Sequence, residues 1–346
     1  MLKRVAIAIV MMMALYAENP INERPQMIQY LMTHQVLGEE KFFLFDVGAS
    51  EGIASYWSVF GKHLSAIGFD PLVNECERLN RINRLPDVLY VPTYIVSEIP
   101  EMDHYQGRIC GSLFSRSSAV YYLNSFNIDY VKQHFNMGAE CVYSENKISL
   151  DRYCLENDIK NVDFIKVDTD GADYAVLRGA DRLLQEGNVL GLYVESQFHG
   201  EVHPYANTFR NIDRFLAKKG FMLFDLSTWR YTKAQLPGTF SYQIPAQTVT
   251  GQISWGDALY LKDFVFMKSQ GEEIPTVQLI KMACLQEIFG LPDCAAELLA
   301  TFREQLSELI DVDQCLNALA RDMALYPNYK IHMSRFRTHR EAFFPH

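Results

Sequence analysis

The chain contains no C-x-x-C pair: its seven cysteines, Cys76, Cys110, Cys141, Cys154, Cys284, Cys294 and Cys315, are scattered and odd in number. That spacing argues against a zinc knuckle or a disulfide framework and fits small apolar side chains in a reducing compartment. Positive charge is in short supply. With 32 Lys and Arg against 42 Asp and Glu, the formal net charge is -10, which disfavours nucleic acid as a partner, because duplex binding depends on cations that neutralise phosphates. No internal repeat or low-complexity tract stands out, and no G-x-G-x-x-G is present. Hydrophobic residues at 49% and charged residues at 21% give no reason to expect disorder.

At 346 residues the chain can bury a full α/β core and still carry an appendage. Lys3 and Arg4 precede an apolar run from Val5 to Ala17, which is too short to span a bilayer. Three readings stay open for it: a helix packed on the domain, an export signal, or a weak membrane contact. The bulky Leu15, where a signal peptidase wants a small residue, counts against cleavage.

Beyond it, Pro25 followed by Met27, Ile28, Leu31, Met32 and Val36, with Gly38 after, predicts an amphipathic helix. Phe42 to Val47, Ala66 to Phe69, Val88 to Val96, Phe164 to Val167 and Val189 to Val194 read as short apolar strands, the last two each ending in an acid, Asp168 and Glu195. Tyr174, Val176, Leu177, Ala180, Leu183 and Leu184 recur at helical spacing between two of them, and Phe209, Ile212, Phe215 and Leu216 mark a further helix before Gly220. This alternation predicts a doubly wound α/β fold, a parallel sheet with helices on both faces. Phe221 to Leu226 and Ala258 to Met267 read as closing strands. Three helical patterns follow: Val277 to Ile288, Leu298 to Leu309 and Val312 to Met323. The expected organisation is an amino-terminal helical segment (1–40), one sheet domain (41–270) and a carboxy-terminal helical appendage (271–346).

Chemistry concentrates at two strand ends. Asp46-Val47-Gly48-Ala49-Ser50-Glu51-Gly52 puts glycines at the exit of the first strand, where the backbone can approach a ligand closely. Asp70 ends the second strand, where a carboxylate can accept both ribose hydroxyls of a nucleoside. NAD is the first rival cofactor on such a sheet. A pyrophosphate turn, however, wants N–H groups free of nearby negative charge, and Asp46 and Glu51 sit badly with that. A sulfonium cofactor with an amino acid tail tolerates these acids, which favours S-adenosylmethionine. The second constellation, Phe164-Ile165-Lys166-Val167-Asp168-Thr169-Asp170-Gly171-Ala172-Asp173, brings acids to the end of the fourth strand, where doubly wound folds place ligands. Asp170 or Asp173 could equally cap the next helix.

The stretch FIKVDTDGADYAVLRGADRLL resembles the motif of the FkbM-type S-adenosylmethionine-dependent methyltransferases. LFDVGASEG, GFDP, Leu79-Asn80, Ile148-Ser149-Leu150-Asp151, YVESQF, GFMLFDL and DALYLKD extend the resemblance over roughly residues 25 to 268. It implies a class I methyltransferase sheet, with Asp46, Gly48 and Gly52 around the methionine part of the cofactor, Asp70 on the ribose, Ser50 as a further cofactor-binding residue, and Asp168 and Asp170 near the reacting centre. The family commonly has Asn in place of Ser50, and Glu in place of Asp70, Asp170 or Asp173. These swaps keep a polar or acidic group but shorten its reach, which changes contact distances more than the cofactor.

Glu195 and His199 complete the candidate catalytic set, since either could take a proton from a substrate hydroxyl. His199 and His203 lack a clear third ligand, so no metal is expected. The segment from Cys110 to Asn146, rich in Ser, Tyr, Phe and Asn, suits recognition of a sugar or another polyhydroxy acceptor, and equally a structural lid or a homo-oligomer contact. The expected reaction is methyl transfer to a hydroxyl oxygen of a sugar, glycan or small metabolite. An NAD-linked oxidoreductase and a non-catalytic scaffold are the alternatives. A cytoplasmic location follows from where the cofactor is made and used.

Overall fold

Seven strands form one sheet: β1 (Phe42–Val47), β2 (Leu64–Asp70), β3 (Val88–Pro92), β4 (Phe164–Val167), β5 (Gly191–Gln197), β6 (Met222–Tyr231) and β7 (Gln252–Leu261), in the spatial order β6-β7-β5-β4-β1-β2-β3. The five strands from β5 to β3 run parallel. β7 inserts antiparallel between β5 and β6. The chain winds outward from β1 through β2 and β3, then restarts on the other side of β1 with β4. The order therefore reverses between β1 and β4, the position where open α/β sheets bind ligands. This is the doubly wound α/β fold that the strand and helix alternation predicts.

The computed structural model describes residues 21–102, 109–110, 141–142, 146–169, 171–199, 202–231 and 251–321. The apolar run Val5 to Ala17, Asp170 and most of the Cys110 to Asn146 segment lie outside the described residues. Within the described residues no helix is long and apolar enough to cross a membrane. The described part divides into two compact units, one of 41–57 and 62–263, the other of 21–40, 58–61 and 264–321.

In the first unit, one face of the sheet presents Phe45, Val47, Ile165, Val167, Leu192 and Val194 to the helices α3 (Leu150–Glu156), α4 (Asp173–Arg178), α5 (Asp181–Glu186) and α6 (Phe209–Lys218), and all six side chains are fully buried. Each such side chain contributes about 1.5–3 kcal/mol through burial. The alternate residues of the same strands point to the opposite face, where α2 (Val73–Ile82) clusters Cys76 and Leu79 with Ala49 and Tyr90.

Several elements depart from the sequence pattern. The periodic stretch 174–184 is two helices, because Gly179 passes under the Val96 carbonyl, where a Cβ would lie 2.2 Å away. Asp151 secures the restart, its carboxylate accepting from Arg182 N and Leu183 N at 2.8 Å each. The third strand stops at Pro92, and Tyr94–Ile95 pair instead with Lys147–Ile148. β5 continues through Glu195 to Gln197, so Glu195 lies inside the strand opposite Asp257 and does not end it. The last strand ends at Leu261, and Phe264–Ser269 is helical.

In the second unit, the helix α1 (Gln26–Thr33) begins at Pro25, which offers no side-chain cap. Its first amides, Met27 N and Ile28 N, donate instead to the buried carboxylate of Glu287 at 2.8 and 2.9 Å. Glu287 lies on the helix Thr276–Ile288, so a carboxyl-terminal helix supplies the cap of an amino-terminal one. The patterned stretch 298–309 is broken at buried Phe302, between helices Pro292–Thr301 and Arg303–Leu306.

Candidate active site

Register gathers the polar residues of the strands. Tyr90, Gly68, Asp46, Lys166 and Tyr193 are successive partners across β3, β2, β1, β4 and β5, so all five fall on the face of the sheet away from α3 to α6. Asp257 pairs with Glu195, two residues beyond Tyr193 and on the same face. A row of ionisable groups thus crosses the sheet at the carboxyl ends of its central strands.

Lys166 is the hub. Its ammonium lies 3.3 Å from Asp46 Oδ1, 3.3 Å from Asp168 Oδ2, and donates to the Gly48 carbonyl at 3.2 Å. Burial pushes the Asp46 carboxyl up to about 6 even though Lys166 draws it down. Burial also works against the Lys166 charge, but Asp46 and Asp168 outweigh it and hold the ammonium above the usual lysine range. Burial likewise lifts the Asp257 carboxyl to about 6, with Asp168 adding to the rise and hydrogen bonds from Trp229 and Tyr193 opposing it. Burial and neighbouring carboxylates raise the Tyr56 and Tyr193 phenols, Tyr56 through Asp46 and Tyr193 through Asp257.

The turn after β1 is shaped by its glycines. Gly48 has φ +84°, and a Cβ there would lie 1.8 Å from the Asp168 carbonyl oxygen, so only glycine allows the two strand ends to approach. Gly48 N and Ala49 N both donate to Phe69 O, at 2.9 and 3.1 Å, which ties the turn to the end of β2. Ser50 and Glu51 are exposed, and Gly52 also has positive φ, +97°. Asp70 is buried at the end of β2; its Oδ1 accepts from Leu72 N at 2.8 Å, and Oδ2 takes no hydrogen bond among the described residues. Burial raises its pKa against that N–H. A carboxylate with one oxygen uncommitted, beside an acidic turn, suits the ribose diol and the cationic part of S-adenosylmethionine.

The acids after β4 divide by role. Asp168 is half-exposed, with 48% of its side-chain surface open, and pairs with Lys166 just beyond the end of β4. Asp173 is fully buried and accepts from Thr169 N at 2.8 Å, Thr169 Oγ1 at 2.9 Å and Asn207 Nδ2 at 3.0 Å. Its carboxylate bends the loop back on itself, a structural task. Burial raises its pKa and these donors oppose the rise. Glu195 is buried in β5. His199 Nε2 lies 2.8 Å from Ile253 O and 3.0 Å from Gln252 Nε2, which ties the ring to the start of β7. Lys166, Asp257, Tyr56 and Tyr193 did not stand out as site residues in the sequence. A lone lysine or aspartate inside an otherwise apolar strand, as in FIKVD and DALYL, is the signal that marks two of them.

No curated protein matches the chain in sequence. Among solved structures, it is similar to magnesium protoporphyrin IX methyltransferase from Synechocystis PCC 6803, at 9% identity over 71% of this chain and 87% of that one, TM-score 0.31. The N-methyltransferase NodS from Bradyrhizobium japonicum WM9 matches at 9% identity over 68% and 93%, TM-score 0.30. An S-adenosylmethionine-dependent methyltransferase from Aquifex aeolicus matches at 11% identity over 69% and 94%, TM-score 0.30. The family described as methyltransferase FkbM domain matches residues 46–223, more than half of the chain and the span that holds Asp46, Asp70, Lys166, Asp168 and Glu195. The chain belongs to this FkbM methyltransferase family, and its cofactor is S-adenosylmethionine.

Proposed function

We propose that this methyltransferase acts on a hydroxyl oxygen of a sugar, glycan or small polyhydroxy metabolite. The observation that carries the reading is the half-exposed Asp168 carboxylate held beside Lys166 at the sheet's switch point, a group able to take a hydroxyl proton. In this reading Asp70 accepts the ribose hydroxyls, while Asp46, Gly48, Ser50 and Gly52 line the methionine part. S-adenosylmethionine, when bound, supplies an electrophilic methyl group.

The chain's own contribution is then positional and electrostatic. The Gly48 to Gly52 turn fixes the cofactor against β1, so that the acceptor oxygen and the methyl carbon can be held in line, the step from which most of the rate derives. Lys166 orients Asp168 through their 3.3 Å ion pair. Asp168 receives the proton of the acceptor hydroxyl, with Asp170, Glu195 and His199 as the further candidates for that role. Asp257 is supported as an additional candidate by its position opposite Glu195 and its carboxyl near neutrality. The cytosol is the compartment that supplies such an enzyme with its methyl donor.

The test is incubation with S-adenosylmethionine and a panel of sugars, glycans and hydroxylated metabolites, followed by mass spectrometry of the product. A methyl group that survives mild alkali marks an ether and supports the reading. An alkali-labile methyl ester or an N-methyl product overturns it.

A further inference from the structure

On the side of the first unit covered by α3 to α6, α4, α5, α6 and the Pro204–Tyr205 loop line a pocket of about 650 Å³. It is separate from the Asp46–Lys166 row, which lies on the opposite face of the sheet. Its size falls within the range of small-molecule sites, about 300–1,000 Å³.

Four cations line it: Arg178, Arg214, Lys218 and Lys219. Lys219 is accounted for, with Nζ 3.1 Å from Asp181 Oδ1 and hydrogen bonds to Asp181 O and Gln185 Oε1 at 3.2 Å each. Arg178, Arg214 and Lys218 form no ion pair among the described residues. Arg178 is the most constrained of them. Its guanidinium carbon sits 5.8, 5.9 and 5.3 Å from the ring centres of Tyr174, Tyr205 and Phe215. Its Nη1 makes a long bond of 3.4 Å to Tyr174 Oη, and its buried Nε has no acceptor.

An arginine carries five N–H donors and gains most when they meet a planar or tetrahedral anion. Aromatic rings hold the guanidinium in place but satisfy none of its in-plane donors. Three uncompensated cations around one cavity, in a chain whose net charge is -10, make a local positive field against the sign of the whole molecule. One carboxylate would leave that field largely uncancelled. A phosphoryl or pyrophosphoryl group supplies two or more charges and several acceptors at one point. The concave shape and the acidic remainder of the protein favour a small ligand over a polymer. The aromatic wall provides an apolar surface for its organic part.

We propose that the cavity between α4, α5 and α6 is a binding site for a phosphorylated small molecule, its phosphate groups held by Arg178, Arg214 and Lys218. The proposal is independent of which acceptor the methyl cleft takes. Asn207 braces the wall of the site from behind: its Oδ1 accepts from Tyr174 N at 2.7 Å and its Nδ2 donates to Asp173 Oδ2 at 3.0 Å.

The test is calorimetry with inorganic pyrophosphate on the full chain, with and without saturating S-adenosylhomocysteine. Saturable binding is expected, unaffected by S-adenosylhomocysteine and weakening as salt rises. The double variant Arg214→Ala/Lys218→Ala should lose at least about tenfold in pyrophosphate affinity, since each removes a charged contact. Both residues are exposed, so its melting temperature and S-adenosylhomocysteine affinity should match the wild type. Absence of saturable pyrophosphate binding, equal binding by the double variant, or displacement by S-adenosylhomocysteine would each overturn the proposal. Because S-adenosylhomocysteine binding is read in the same protein, such a failure is distinguishable from failure of the methyl-transfer reading.

Discussion

The ammonium of Lys166 lies 3.3 Å from the Asp46 carboxylate, across the register pair that joins β1 to β4. Two adjacent parallel strands thereby put opposite charges on one face at the switch point, and the pair is mostly enclosed. Removing either partner from such a pair leaves a charge in a medium that solvates it poorly.

Asp46 should shape the pH dependence of stability. Burial raises its folded pKa to about 6 from an ordinary 3.8. Between these values the folded chain binds a proton that the unfolded chain has released, so this group makes stability fall as pH rises, with the loss complete above the folded pKa. Asp46→Asn cannot titrate, and without cofactor it should gain about 3 kcal/mol on the wild type between about pH 4 and pH 7. Urea unfolding of both proteins at the two ends of that window checks this; parallel curves would refute it.

Asp70→Ala should weaken S-adenosylhomocysteine binding about tenfold or more, because a charged hydrogen bond contributes about 1.5–3 kcal/mol and about 1.4 kcal/mol is tenfold in affinity. Calorimetry reads this directly, and unchanged affinity would remove the ribose role from Asp70.

Gly48→Ala should destabilise the first unit. The added Cβ would meet the Asp168 carbonyl at 1.8 Å, at a φ of +84°, so the cost should be about 2 kcal/mol or more. Thermal melting measures the loss, and a wild-type transition would contradict the geometry.

Two neighbouring acids should separate stability from chemistry. Asp173→Ala removes the acceptor of Thr169 N, Thr169 Oγ1 and Asn207 Nδ2 and should cost about 3 kcal/mol or more in denaturant unfolding. Asp168→Asn, at a half-exposed side chain, should change stability by under about 1 kcal/mol and yet lower methyl transfer at least about tenfold through loss of a proton acceptor. Equal effects of the two substitutions on stability would erase the distinction.

The candidate site was legible where its residues are consecutive. Asp46 to Gly52, Asp70 and Asp168 to Asp173 each lie in one short stretch, so their placement at strand ends follows from local pattern alone. The division of labour among the acids was not legible, because Asp168 and Asp173 differ in burial and in hydrogen-bond partners. Asn207, which helps fix Asp173, comes from a distant loop. Asp257 escaped notice because its significance rests on antiparallel register with Glu195.

By itself the sequence determined the doubly wound sheet and the strand ends that hold the candidate site residues, since apolar runs, helical spacing and glycine turns are set by neighbours along the chain. Tertiary structure alone decided that Lys166 bridges Asp46 and Asp168, that Glu287 caps the helix starting at Gln26, and that Arg178, Arg214 and Lys218 surround one cavity. Each depends on a contact between separate elements, Lys166 with Asp46, Glu287 with Met27 and Ile28, and Arg178 with the helix of Arg214 and Lys218, whose separation in sequence carries no periodic signal. Their energies arise from burial and from charges meeting across elements, quantities that exist only once the strands and helices have packed.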